Sequence, residues 1–115
     1  MVTIVNKPWG REVLLYQGNG YAVKRISLND KQKTSLHYHE IKHETILMLS
    51  GTLRVEIREE NLNETIVILK QGEHLCIDPK VIHRMQSIDG DSIYFEAQTD
   101  HLDDVIRISD DFGRI

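Results

Sequence analysis

Thr52-Leu53-Arg54-Val55-Glu56-Ile57-Arg58 alternates polar and apolar residues without a break. Successive side chains of an extended chain leave opposite faces, so Leu53, Val55 and Ile57 share one surface while Arg54, Glu56 and Arg58 share the other. That is a strand with one side on a core and one side in water. The preceding run, residues 44–50, is strongly apolar and reads as a second strand, set off by Ser50-Gly51. Farther out, residues 21–28 place Ala22, Lys24, Ile26 and Leu28 on one face and Tyr21, Val23, Arg25 and Ser27 on the other. Residues 12–16, 33–39, 65–69, 74–77, 83–88 and 92–98 are the remaining strand-like runs. Turn formers separate them: Gly18-Asn19-Gly20, Asn29-Asp30, residues 61–63, Gln71-Gly72, Asp78-Pro79 and Asp89-Gly90. About nine short strands at nearly even spacing predict an all-β antiparallel sandwich or barrel. Only the tail, residues 101–112, has room for a short C-terminal helix.

The length of 115 residues and a hydrophobic share of 40% suit one compact domain, 1–115, with a core of its own. No linker-like or low-complexity stretch divides it. No apolar run approaches the roughly 20 residues of a membrane-spanning helix, and the polar start Met1-Val2-Thr3 is unlike a signal peptide. The single cysteine, Cys76, excludes an internal disulfide framework and fits a reducing cytosol. Between Leu75 and Ile77 it reads as a small buried hydrophobe. A net charge of −4 gives no support to nucleic acid as a partner. A cytoplasmic, single-domain protein is expected.

Among six histidines, position matters more than number. His37 and His39 are two apart, so on a strand both imidazoles leave the same face, with Cα atoms roughly 6–7 Å apart. If residues 40–43 form a hairpin connection, Glu44 returns beside them, and His83 opens a later strand. Three imidazoles and one carboxylate would suit a first-row divalent metal with coordination positions left open. The competing reading is ordinary, because surface strands often carry polar residues two apart. His43 belongs to the solvated connection, and His74 and His101 have no partner at ligand spacing.

His37-Tyr38-His39, four residues, Glu44, six residues and Gly51 resemble the first motif of the cupin superfamily in every spacing. Gly72 and His83 stand at the separation of the second motif. This resemblance implies a double-stranded β-helix, the cupin jelly-roll barrel, with His37, His39, Glu44 and His83 as metal ligands. Two motif glycines are replaced, by Lys31 and Lys80, and Asp78 occupies a proline position next to Pro79. Both glycines belong to turns where a positive φ is usual. A narrower resemblance runs through Asn6-Lys7-Pro8-Trp9-Gly10, Tyr21-Ala22-Val23-Lys24-Arg25-Ile26, Ser50-Gly51-Thr52, Val81-Ile82-His83-Arg84, Asp103-Asp104-Val105-Ile106-Arg107 and Asp110-Asp111-Phe112-Gly113-Arg114. These look like the type II mannose-6-phosphate isomerase domain, commonly fused behind a mannose-1-phosphate guanylyltransferase. The chain would be a free-standing form of it. The family usually has glutamine where this chain has His37, which brings the ligand set nearer to cupin oxygenases and decarboxylases.

The resemblance implies one divalent transition metal (Zn, Mn, Fe, Co or Ni), a sugar-phosphate substrate, and a homodimer. An aldose–ketose isomerase needs a Lewis acid at the carbonyl and hydroxyl oxygens, cations for the phosphate, and a base for the carbon-bound proton. Lys24, on an otherwise apolar face, is the catalytic or substrate-contact candidate, since an unpaired ammonium is costly to bury. Arg84 should project away from the ligands. Glu96 is placed outward or at the rim, and residues 100–104 on a solvated surface. Trp9 is assigned either to the dimer interface or to ordinary packing. Beside the isomerase stand two alternatives: a cupin dioxygenase or decarboxylase, and a non-catalytic sugar-binding module.

Overall fold

The computed structural model describes residues 3–58 and 64–115; the turn expected at 61–63 lies outside them. Nine strands follow in order: β1 (Thr3–Lys7), β2 (Gly10–Gly18), β3 (Tyr21–Leu28), β4 (Leu36–Tyr38), β5 (Glu44–Arg58), β6 (Glu64–Leu69), β7 (His74–Ile77), β8 (Ile82–Thr99) and β9 (Ile106–Ser109). All pairings are antiparallel.

Two long strands organise the rest. Near its start β5 lies between β7 and residues 94–98 of β8; past its midpoint it lies between β6 and residues 82–88 of β8. Likewise β8 borders β3 over residues 92–99 and meets β4 at the His37–His83 pair. One side of the barrel therefore runs β1-β2-β3-β8-β5-β7 and the other β9-β4-β8-β5-β6, a jelly roll.

The runs expected as separate strands at 44–50 and 52–58 are one strand, as are 83–88 and 92–98. Ser50-Gly51 and Asp89-Gly90 act as bends within them, and the β5–β8 register shifts on both sides of Ser50. Gly51 is required at its bend: φ is +84°, and an added Cβ would stand 2.5 Å from the Asp91 carbonyl oxygen and 2.9 Å from Ser92 Cα. The alternation at 52–58 holds, with Leu53 and Val55 fully buried. Around them pack Ile26, Leu28, Ile46, Met48, Leu69, Ile77, Met85 and Tyr94, and Trp9 joins this core.

Three expectations change. The tail is not helical: residues 106–109 form β9, pairing with β4 through Leu36–Ser109, His37–Arg107 and Tyr38–Ile106. The open edge of β4 supplies ladder partners, and the β-branched Ile106 and Ile108 favour the strand over a helix. Cys76 is exposed, not buried. Its neighbours Leu75 and Ile77 point inward, so the period of two sends Cys76 out with His74. Residues 33–39 are strand only at 36–38, with an isolated bridge from Lys33 to Gln86.

Candidate metal centre

Strand β4 ends one residue before His39, and its pleat turns His37 and His39 to the same side. The antiparallel pair His37–His83 brings the third imidazole alongside. After the connection at 40–43, Glu44 opens β5 and returns its carboxylate to the same place. The ring centroids stand 5.0 Å (His37–His39), 4.4 Å (His37–His83) and 5.3 Å (His39–His83) apart. One nitrogen of each ring lies within 4.8 Å of the others, so the three histidines could hold a metal ion. Glu44 Oε1 is 3.1 Å from His83 Nε2 and 3.5 Å from His39 Nε2. All four side chains are buried.

The opposite ring nitrogens have fixed jobs. The Nδ1–H groups of His37, His39 and His83 donate to the carbonyls of Ser35 (2.7 Å), Asp104 (2.5 Å) and Val81 (2.9 Å). This pattern leaves each Nε2 as a lone pair aimed inward, the tautomer a metal needs. His39 Nε2, His83 Nε2 and Glu44 Oε1 are buried at ion-pair distance but off the line of a hydrogen bond, so none has a satisfied partner. Three orphaned donor atoms converging on one point are what a cation would satisfy. Burial, then the neighbouring His83, pushes the His37 imidazole well below its ordinary pKa, favouring the neutral ligand form. Burial alone would raise Glu44, but the closeness of His39 and His83 outweighs it and holds the carboxylate well below its usual range. The donor set fits a divalent transition ion.

His37, His39 and Glu44 open on a cavity of about 290 Å³ whose lining also includes Lys24, Lys42, Glu96 and Arg107. Lys24 faces it as its strand pattern predicted, with Nζ 3.0 Å from Glu12 Oε2. Arg84 points away, as expected, and donates to the Thr34 carbonyl at 2.9 Å. His43 sits at the surface, 2.9 Å from Asp78.

Glu96 corrects an expectation. It is 8% exposed and lines the cavity, because β8 turns Ser92, Tyr94, Glu96 and Gln98 inward. The inward side here is the polar one; apolarity had pointed to the side with Ile93, Phe95 and Ala97. Three further residues escaped the sequence reading. Lys42, in the supposed solvated connection, is buried with Nζ 3.9 Å from Glu44 Oε2. Arg107 lines the cavity from β9, and its Nε is buried without a partner among the described residues. Asp104, assigned to a solvated run, accepts the N–H groups of Glu40, Ile41 and Lys42 at 3.0, 2.7 and 2.8 Å. Slight desolvation opposes the shift, but these donors bring its carboxyl down to about 2. The connection is thereby clamped by the same residue whose carbonyl orients His39. A pairing of an Asp side chain with three N–H groups sixty residues away leaves no mark in local sequence.

Comparison with known proteins agrees with this architecture. The family described as "Mannose-6-phosphate isomerase C-terminal" matches residues 1–110. Mannose-1-phosphate guanylyltransferase ManC of Salmonella typhimurium is 31% identical over 116 residues, covering 96% of this chain and 23% of that protein. Xanthan biosynthesis protein XanB of Xanthomonas campestris pv. campestris is 28% identical over 114 residues, with 96% and 23% covered. The chain thus spans about a quarter of the length of these curated relatives. In three dimensions it resembles capsular polysaccharide assembling protein CapF of Staphylococcus aureus, with a TM-score of 0.84 at 14% identity over 95% of this chain and 34% of that one. Oxalate decarboxylase of Bacillus subtilis gives 0.84 at 16%, over 93% and 30%. KdgF of Halomonas sp. gives 0.74 at 13%, over 86% of each chain. At these identities the likeness is one of fold. No helix among the described residues is long and apolar enough to cross a membrane. From the match along nearly its whole length and the jelly roll that carries it, the chain belongs to the mannose-6-phosphate isomerase C-terminal family of cupin domains.

Proposed function

We propose that this domain is a metal-dependent sugar-phosphate isomerase that interconverts mannose 6-phosphate and fructose 6-phosphate. The observation that carries the reading is the convergence of orphaned His39 Nε2, His83 Nε2 and Glu44 Oε1 at a cavity walled by lysine and arginine. A divalent transition ion held by His37, His39, Glu44 and His83 would supply Lewis acidity to the sugar's carbonyl and neighbouring hydroxyl oxygens. Lys24 and Arg107 offer cationic N–H donors for phosphate or hydroxyl oxygens, and the Glu12 carboxylate holds the Lys24 ammonium in place. Asp104 fixes the His39 ring through its carbonyl while its carboxylate fixes the connection that carries Lys42.

The test is turnover by protein loaded in turn with Zn, Mn, Fe, Co and Ni. Mannose 6-phosphate should be converted to fructose 6-phosphate, with activity abolished by chelation and by His39→Ala. No turnover of any of several hexose or pentose phosphates by metal-loaded protein would remove the reading.

His37 favours a second reading, since an imidazole in that position makes a three-histidine, one-carboxylate set able to hold iron or manganese for oxygen chemistry. Substrate-dependent oxygen uptake in the same assays, absent from an isomerase, would select it. Tight sugar-phosphate binding with neither activity would select a binding module.

A further inference from the structure

Isomerisation needs a group that takes a proton from one carbon and returns it to the next, and the four ligands are turned towards each other. The cavity wall offers few free bases. Lys24 is held by Glu12, and Lys42 faces Glu44. Ser35 Oγ is engaged with His37 Nδ1. Tyr94 is fully buried, and burial raises its hydroxyl well above the ordinary value. Glu96 remains. In register it stands opposite Lys24 of β3 on one side and Ile46 of β5 on the other. Yet the Lys24 ammonium reaches Glu12 instead, and no ion pair among the described residues closes on Glu96. Its hydrogen-bond partner is the Gln98 amide, Nε2 donating to Oε2 at 3.4 Å. An inward carboxyl without a cation partner, two ladder positions from the Glu44–Gln98 pair, is placed to serve a substrate.

We infer that Glu96 is the proton shuttle of this site, a catalytic carboxyl that moves a proton between adjacent carbons of the sugar. This rests on the isomerase reading. In the forward direction the carboxylate takes the proton from C2 of the aldose. The C2–H electron pair becomes the C1–C2 π bond, and the carbonyl π pair moves to O1. The hydroxyl proton passes from O2 to O1, the O2 pair forms the C2 carbonyl, and the C1–C2 π pair takes the proton from Glu96 to make the new C1–H bond. No oxidant, reductant or co-reactant is required.

The surroundings of Glu96 suit both halves of the exchange. Facing it are Glu44 on β5, Lys42 from the preceding connection, Lys24 on β3, Glu12 on β2 and Tyr94 on its own strand. Burial first, then the Glu44 charge, pushes its carboxyl up to about 8, against the pull of Lys42 and Lys24. A carboxyl that holds a proton this firmly can donate as well as accept near neutral pH.

The experiment compares metal-loaded wild type with Glu96→Gln and Glu96→Asp on mannose 6-phosphate in deuterated water, following turnover and deuterium entry at carbon by NMR. E96Q should lose about 10²–10⁴-fold in kcat with KM changed less than about threefold, while metal stoichiometry is retained and the melting temperature is not lowered. The acidic limb of the wild-type kcat/KM profile should vanish from its residual activity. E96Q within about tenfold of wild type, or keeping that limb, overturns the role while leaving the isomerase standing. If E96Q does not fold, E96D decides: a rate lowered at least about tenfold at unchanged KM supports the role, and a wild-type rate overturns it. A wild type that neither isomerises nor exchanges overturns the isomerase reading and this role with it.

Discussion

His37, His39 and His83 are each oriented by a backbone carbonyl that accepts the Nδ1–H, at Ser35, Asp104 and Val81, so ring position is set by main chain that substitution cannot easily remove. The identity of the ligand atom at position 37 remains adjustable. His37→Gln replaces an imidazole nitrogen with a neutral amide oxygen, the donor usual in the family. The variant should still bind one ion per chain, with its Ni-over-Mn preference reduced about tenfold or more, as competition titration would show. An unchanged preference would mean that position 37 does not reach the ion. The grouping of His37, His39, Glu44 and His83 was legible because period-two spacing and the separations of the two cupin-like motifs are local. Glu96 was not, because its strand carries apolar residues on the outer face as well, and polarity alone assigned the wrong side.

At the scale of elements, two turns retain a conformation their sequence does not favour. Lys31 and Lys80 stand where the cupin motifs have glycine, and both keep a positive φ, 64° and 69°. The turns persist because their amides are committed: Lys31 N–H donates to the Ser87 carbonyl at 2.9 Å and Lys80 N–H to the His39 carbonyl at 2.6 Å. The left-handed region costs a side-chain-bearing residue about 1–2 kcal/mol, partly offset by the larger unfolded-state entropy of glycine. Lys31→Gly and Lys80→Gly should therefore each stabilise the fold by about 0.5–1 kcal/mol, seen as a higher urea midpoint at unchanged slope. A lower midpoint in both would show that the lysine side chains contribute more than the strain removes.

For the whole molecule, a barrel that surrounds carboxylates and imidazoles must respond to pH. The Glu96 carboxyl, up at about 8 when folded against an ordinary 4.5, keeps its proton while the unfolded chain has lost it. Its contribution therefore falls as pH rises from about 4.5 to about 8 and is level beyond. His37, held below the ordinary 6.5, acts in the opposite sense, its contribution falling as pH drops below 6.5. Comparing metal-free wild type with E96Q separates them. The stability advantage of E96Q should grow between pH 5 and pH 8 in urea unfolding, whereas parallel profiles would refute the burial of an ionisable Glu96.

Strand periodicity was enough for an all-β sandwich or barrel, because it converts sequence position directly into facing. The resemblance to the cupin motifs supplied the jelly roll and the grouping of His37, His39, Glu44 and His83, which the barrel brings together. Tertiary structure alone decided that 44–50 and 52–58 are one bent strand, that the tail pairs as β9, and that Asp104, Lys42, Arg107 and Glu96 belong to the site. Each of those depends on which partner lies across the sheet or cavity, and a residue's partner at long range is a property of the closed barrel, not of its neighbours in the chain.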